Sequence, residues 1–238
     1  LYARLDKLFL RLFMEEQDMA VTVAIDLSRS MEYGSPKKSL YARQLAAALG
    51  YIGLVNYNRV GVHAFAGGRV KALTNLRGRR PVRQMLSFLS QPMGLGDEPG
   101  ATPLVDFTKR LAMSQPGKGI IVIVSDFMDK GDLDAALKPV SSDKWDVHTI
   151  QILSPQELDP TKDALAGDML LRDAEDGQTV EVTMSPELLA RYRVNLEGYC
   201  TQVRQQCLKR GISYALADTG VSFETLVLDH LRQRGLLV

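Results

Sequence analysis

Met19-Ala20-Val21-Thr22-Val23-Ala24-Ile25-Asp26-Leu27-Ser28-Arg29-Ser30 is the stretch that decides the fold. Its first seven residues form an apolar run rich in β-branched side chains, the signature of a strand buried on both faces. A carboxylate and two hydroxyls then leave the end of that strand at alternate positions, Asp26, Ser28 and Ser30. All three are small, hard oxygen donors of the kind a magnesium ion selects. The same residues also make an Asp/Ser turn that caps a following helix, so the stretch alone leaves turn and metal site both open.

A second run, Gly119-Ile120-Ile121-Val122-Ile123-Val124, reads as another buried parallel strand, and Ser125-Asp126 stands at its end. Two strands that each end in an aspartate carry weight. In open α/β sheets, ligands bind outside the carboxyl ends of the strands, where the strand order reverses. Between them Gly100-Ala101-Thr102-Pro103-Leu104 places a hydroxyl in a glycine-led loop. Thr102 there is either a helix N-cap ahead of Pro103 or a donor to the same site.

The rest of the chain alternates helix and strand patterns. Ser35-Pro36 reads as a cap-and-first-residue start for a helix over 36–56, with Tyr41, Leu45, Ala48, Leu49, Ile52 and Val55 on one face. Arg59 to Phe65 follows as a strand, Gly67-Gly68 as a turn, and Arg69 to Thr74 as an antiparallel edge. A helix over 80–90, a glycine-rich stretch over 91–100, a short helix over 133–140 and a strand over 147–153 come next. Met169 to Arg172 and Thr179 to Met184 read as a β-hairpin around Asp176-Gly177. Ser185-Pro186 opens a long helix closed by Gly211, then come a strand over 212–216 and a helix over 223–234. Strands separated by helices imply an α/β fold, with a mostly parallel sheet covered on both faces.

The set Asp26-x-Ser28-x-Ser30, Thr102 and Asp126 resembles the metal-ion-dependent adhesion site of von Willebrand factor A domains, with all five positions filled in order. Tyr2-Ala3-Arg4, Leu8-Phe9-Leu10-Arg11-Leu12-Phe13-Met14-Glu15-Glu16, Gly61-Val62 and Val124-Ser125-Asp126-Phe127 are similar to the bacterial family called domain of unknown function 58. The resemblance implies a Rossmann-like von Willebrand factor A fold, with a mostly parallel central sheet, one antiparallel edge strand, helices on both faces and an inserted hairpin. On this reading residues 1–18 are an N-terminal extension packed on the domain, and residues 19–238 are the domain itself, with the hairpin insertion at about 168–184.

The resemblance also implies a function. Ser28 and Ser30 would bind a divalent cation directly, Thr102 conditionally, and Asp26 and Asp126 as outer or water-bridged anions. The cation would be magnesium, with manganese or calcium as substitutes. Two converging carboxylates resist ionisation unless a cation compensates them, and an ion held by neutral hydroxyls seeks a further anionic ligand. An Asp or Glu of a partner protein would supply it, and the family's association with AAA+ ATPases of the MoxR type names a class of partner. Arg29, Met31 and Phe127 adjoin the ligands as a partner-binding rim; Met31 and Phe127 read equally well as core residues under the loop. Asp97 and Glu98 are close enough in sequence to Thr102 to cover the site.

Composition removes other classes. The 238 residues, 45% hydrophobic and 24% charged, suit one substantial globular domain. A net charge of +1 gives no general field for nucleic acid. The basic cluster Arg77-Gly78-Arg79-Arg80-Pro81-Val82-Arg83 reads as a solvated face. No apolar run reaches the roughly 20 residues needed to span a bilayer. Cys200 and Cys207 share one helical stripe with Tyr192, Leu196, Tyr199 and Val203; two turns set them about 10 Å apart, too far for a disulfide. Core thiols in a reducing, cytoplasmic setting are the expectation. The chain starts at Leu1, inside the family pattern, which reads as part of a longer product, and an upstream membrane anchor stays open.

The alternative function is a metal-assisted hydrolase or phosphotransferase. Phosphatases with an aspartyl nucleophile carry a second acid two residues on, where this chain has Ser28, and His63, His148 and His230 are scattered with no motif pairing them to a serine. The expectation is therefore no enzymatic activity. Pro116-Gly117-Lys118-Gly119 lacks the spacing and hydroxyl of a P-loop, so it reads as a turn into the second aspartate strand.

Overall fold

β-branched runs and glycine turns set the elements, and their order sets the topology. The structure is a computed structural model and describes residues 19–66, 68–92, 104–114, 117–129, 131–163, 168–172, 179–183 and 185–227. The proposed extension 1–18, the Asp97-Glu98 segment, Thr102, the Asp176-Gly177 turn and His230 lie outside these residues.

Strand β1 (Ala20–Asp26) leads into helix α1 (Lys38–Val55), then strands β2 (Arg59–Ala66) and β3 (Arg69–Leu76). Helices α2 (Val82–Ser90) and α3 (Leu104–Ser114) precede strand β4 (Gly119–Ser125). Helix α4 (Leu133–Leu137), strand β5 (Trp145–Leu153) and the short helix α5 (Pro155–Leu158) follow. Strands β6 (Asp168–Arg172) and β7 (Thr179–Thr183), helix α6 (Pro186–Lys209), strand β8 (Ser213–Asp218) and helix α7 (Phe223–Leu226) complete the described chain.

Six strands form one sheet in the order β3-β2-β1-β4-β5-β8, and β6-β7 pair separately as an antiparallel hairpin. Among the described residues, only β2-β3 is antiparallel within the main sheet. The chain winds from β1 outward to β3, then returns to place β4 on the other side of β1. The reversal therefore falls between β1 and β4, the two strands that end in aspartates.

Side-chain alternation divides the core. Val23, Ile25, Val122 and Val124 point to the face covered by α1 and α2, where Leu45, Leu49, Leu54 and Met85 pack. Ala24, Ile121 and Ile123 point to the opposite face, against Phe107 and Leu111 of α3, Leu137 of α4 and Val203 and Cys207 of α6. There Phe65 stacks on Phe107 with ring centroids 4.0 Å apart. β3 keeps charged Arg69 and Lys71 toward solvent, which suits an exposed edge.

Two local expectations change. Helix α1 starts at Lys38 with Lys37 as its N-cap, two residues after the proposed start; Lys38 N–H donates to the Tyr33 carbonyl, and Ser35 N–H donates to the Gln156 side chain at 3.1 Å. The 133–140 segment is a five-residue α-helix continued by a single 3-10 turn.

Glycine 119 sets how closely β1 and β4 pair. A Cβ placed there would run into the backbone carbonyl oxygen of Ala20, which cannot move without shifting the strand. Gly119→Ala is expected to destabilise the domain by about 1–3 kcal/mol, the usual scale of overpacking. Urea unfolding monitored by circular dichroism measures it, and an unchanged midpoint would show that β1 and β4 have slack.

Candidate metal centre

The carboxyl ends of β1 and β4 bring together residues separated by about a hundred positions in sequence. The Asp26 carboxylate accepts from Ser28 N–H at 2.9 Å through Oδ1 and from the Ser125 hydroxyl at 2.6 Å through Oδ2. Its first bond is an Asx turn, the local geometry that Asp and Ser favour. It also turns the chain so that Ser28 and Ser30 face each other, their Oγ atoms 3.1 Å apart. Ser28 and Ser30 are half-buried, and Arg29 between them is exposed.

Asp126 continues directly from β4 and is buried at 1% exposure. Its Oδ1 accepts from Met128 N–H at 3.1 Å, and its Oδ2 accepts from the Lys38 ammonium at 2.8 Å. Lys38 is itself completely buried and donates a second bond, of 2.5 Å, to Glu157 Oε1. Glu157 lies on α5, where a capping box holds it: its Oε2 accepts from Ser154 N–H at 2.7 Å. One ammonium thus ties the starts of α1 and α5 to the end of β4.

Electrostatics follow from this crowding. Burial, and next the charge of Asp126, push the Asp26 carboxyl up from 3.8 to about 7. The Lys38 ammonium stays firmly protonated, because Asp126 and Glu157 outweigh the burial that would otherwise lower it. Three carboxylates in this network face a single ammonium, an excess of two negative charges when all are ionised.

The donor set fits a small divalent cation. Magnesium takes oxygen ligands at about 2.1 Å in an octahedron, which sets adjacent ligand oxygens about 3 Å apart, and Ser28 Oγ and Ser30 Oγ stand at 3.1 Å. Each Asp26 oxygen already accepts one bond and retains a further lone-pair direction. Among the described residues, no group of three or more His, Cys, Asp or Glu side chains is placed to hold a metal. A cation at this position therefore depends on hydroxyls, as magnesium can and zinc does not favour.

Thr102 itself is not among the described residues. Two residues on, Leu104 N–H at the start of α3 donates to Asp129 Oδ2 at 2.7 Å, so α3 begins beside the loop that carries Asp126. Met31 is fully buried in the core beneath α1, and Phe127 is 2% exposed in the core on the other face. Both are core residues and not rim, because each is apolar and packs within a buried hydrophobic cluster. Of the proposed rim, Arg29 alone is exposed.

Phe127 adopts a left-handed backbone, φ 58°, uncommon for a bulky residue. Its N–H donates to Ser125 Oγ at 2.9 Å, and its carbonyl accepts from the Tyr199 hydroxyl of α6. Gln151 on β5 donates to the Asp126 carbonyl at 3.1 Å and accepts from the Tyr214 hydroxyl at 2.7 Å. These bonds hold the Asp126 loop from two neighbouring elements. Lys38 and Glu157 are the residues the sequence reading did not single out. The signals were present: Lys38 falls in helical phase with buried Tyr41, Leu45 and Leu49, and Ser154-Pro155-Gln156-Glu157 is a capping-box pattern.

Neither described histidine reaches the two serines. His63 pairs with Ala24 on β1, and His148 lies five residues before the end of β5. Burial lowers His63 to about 4. The Gly117 carbonyl accepts from the Trp145 ring N–H at 2.7 Å, and Gly117-Lys118 lies at the opposite end of β4 from Asp126; Pro116 is not among the described residues. Cys200 and Cys207 are free thiols, Cys207 fully buried. Among the described residues, no helix is long and apolar enough to cross a membrane.

A mostly parallel sheet with one antiparallel edge strand, helices on both faces and a separate hairpin is the von Willebrand factor A-like architecture that the motif resemblance implied. The chain belongs to the family described as "Protein of unknown function DUF58", whose pattern matches residues 1–201. An uncharacterized protein of Mycobacterium tuberculosis is 23% identical over 184 residues, 75% of this chain and 55% of its own length. The chain thus spans about half the length of the curated relatives it matches. Among solved structures, a conserved hypothetical protein, BatB, of Bacteroides thetaiotaomicron superposes with a TM-score of 0.57 at 17% identity, over 92% of this chain and 99% of that one. An aerotolerance-related membrane protein of Bacteroides fragilis gives 0.54 at 18% identity, over 90% and 99%. At these identities the likeness is one of fold.

Proposed function

We propose that this chain is a metal-dependent protein-interaction module, in which Asp26, Ser28, Ser30, Thr102 and Asp126 hold a divalent cation, magnesium first among them. The cation, when bound, supplies an electron-poor coordination position for an acidic side chain of a partner. The observation that carries this reading is the buried Asp26 carboxylate beside two hydroxyls 3.1 Å apart at the strand-order reversal. Such a group gains free energy when a cation compensates its charge.

The chain's own residues do the positioning. Ser125 and the Ser28 N–H orient Asp26; Lys38 and the Met128 N–H orient Asp126. Exposed Arg29 stands between the two serines, where its guanidinium favours an incoming carboxylate. We propose a binding role and not catalysis for this site. The family resemblance supports an AAA+ ATPase of the MoxR type as the partner, and a contact on the cytoplasmic side is part of the same proposal.

Capture of binding partners on the immobilised chain tests the reading, with magnesium or with EDTA, and with Asp26→Ala alongside wild type. A partner held in magnesium is expected to be lost with EDTA and with the variant. Calorimetry with that partner then gives its affinity, and equal affinity in all three conditions would sink the proposal. Turnover of a phosphoester that disappears in Asp126→Asn would replace it with the hydrolase reading.

A further inference from the structure

Lys38 sits within the candidate centre yet belongs to no part of the metal motif. Its ammonium is completely buried, 2.8 Å from Asp126 Oδ2 and 2.5 Å from Glu157 Oε1. A buried lysine is kept only where carboxylates compensate it, and here one of the two is a proposed cation-site residue. The second, Glu157, is locked in place by the Ser154 N–H and hydroxyl at 2.7 and 3.0 Å. The ammonium is thus fixed from behind and aimed at Asp126.

We propose that Lys38 is a resident counter-cation that competes with the divalent ion for Asp126 and so holds the metal affinity of the site down. The inference rests on reading Asp126 as part of a cation site. Two cations sharing one carboxylate repel, and a charge a few ångströms from a buried ion acts through a low effective dielectric. With its Oδ2 committed to the ammonium, Asp126 has less charge to offer the metal. The ion is then left electron-poor and depends on a partner's acid to complete its coordination. Glu157 moderates this, because it draws part of the ammonium's charge away from Asp126. Lys38 is a positioning residue on this account, and Glu157 tunes it.

The two residues predict shifts of opposite sign. Titration calorimetry with magnesium chloride alone, no partner present, reads them directly. Lys38→Met is expected to bind magnesium at least about tenfold more tightly than wild type, from loss of a like charge beside the ion. Glu157→Gln is expected to bind it several-fold more weakly, because the ammonium then faces Asp126 alone. Lys37→Met removes the same charge from the neighbouring exposed side chain, which pairs with Glu32, and is expected to leave the affinity at the wild-type value. Circular dichroism confirms folding in each case.

A purely structural lysine would lower stability without tightening magnesium. Folded Lys38→Met with unchanged or weaker affinity therefore overturns the inference while leaving the metal site standing. Should Lys38→Met not fold, Glu157→Gln decides: weaker binding supports the competition, and equal or tighter binding overturns it. Magnesium binding by Lys38→Met where wild type shows none is the same competition at its limit. Binding by neither removes both this inference and the metal reading.

Discussion

Asp26→Asn is expected to leave a domain that no longer holds magnesium, yet is more stable than wild type without the metal at pH 8. Both effects follow from one buried carboxylate. Asp26 is 7% exposed and raised from 3.8 to about 7, by burial first and by the charge of Asp126 second. Holding it ionised above neutrality therefore costs the metal-free fold about 4 kcal/mol, at about 1.4 kcal/mol for each pH unit between the two values. The amide carries no charge and removes that cost. Its oxygen still accepts from Ser28 N–H, and the Ser125 hydroxyl can turn to accept from the new NH2. The same neutralisation strips the centre of an anion. Loss of magnesium affinity is expected to exceed the roughly 10–100-fold seen when a group that only orients a ligand is removed. Urea unfolding with EDTA and calorimetry with magnesium measure the two effects. A variant that is less stable than wild type at pH 8 and binds magnesium normally would show that Asp26 is a turn residue and nothing more.

The second large effect is a pH profile that runs against the usual one for paired carboxylates. A carboxyl raised on folding binds its proton more tightly in the native state than in the unfolded chain. Between 3.8 and about 7 the native state holds a proton that the unfolded state has released, so stability falls as pH rises through that window and levels off above it. From pH 5 to pH 8 the loss assigned to Asp26 is roughly 3 kcal/mol. Saturating magnesium is expected to flatten the profile, since a cation compensates the ionised carboxylate, and Asp26→Asn flattens it with no metal present. Metal-free unfolding curves at pH 5, 6, 7 and 8 suffice. A wild-type profile that rises across the range, or one untouched by the Asn substitution, would contradict the placement of this charge.

Much of the architecture was legible because it is written in short, local patterns. The β-branched runs at 20–25 and 119–124 are buried parallel strands as read. Gly68, at φ 78°, makes the turn into the antiparallel edge, and Ser185 caps α6 by accepting from Leu188 N–H. Asp26, Ser28 and Ser30 could be read as a unit because one turn holds them within five residues. Local pattern failed where two readings shared the same residues. Ser35-Pro36 resembles a helix start, but the helix begins at Lys38 with Lys37 as its N-cap, and Ser35 is bonded to Gln156, 121 residues away. Met31 and Phe127 flank the polar motif in sequence, and only the depth of the core beneath each loop shows them to be packing residues.

The order of strands and helices, the strand-end position of both aspartates and the hydroxyl spacing were determined by the sequence alone, since each is a matter of periodicity and neighbouring residues. The tertiary structure decided which charges meet. Lys38 reaches Asp126 across 88 residues and Glu157 across 119, and the Ser125 hydroxyl reaches Asp26 across 99. The physical reason is that a charge buried in a low-dielectric interior must be compensated by whatever group the fold brings alongside, and the return of the chain across the sheet, absent from any short window of sequence, determines what that group is.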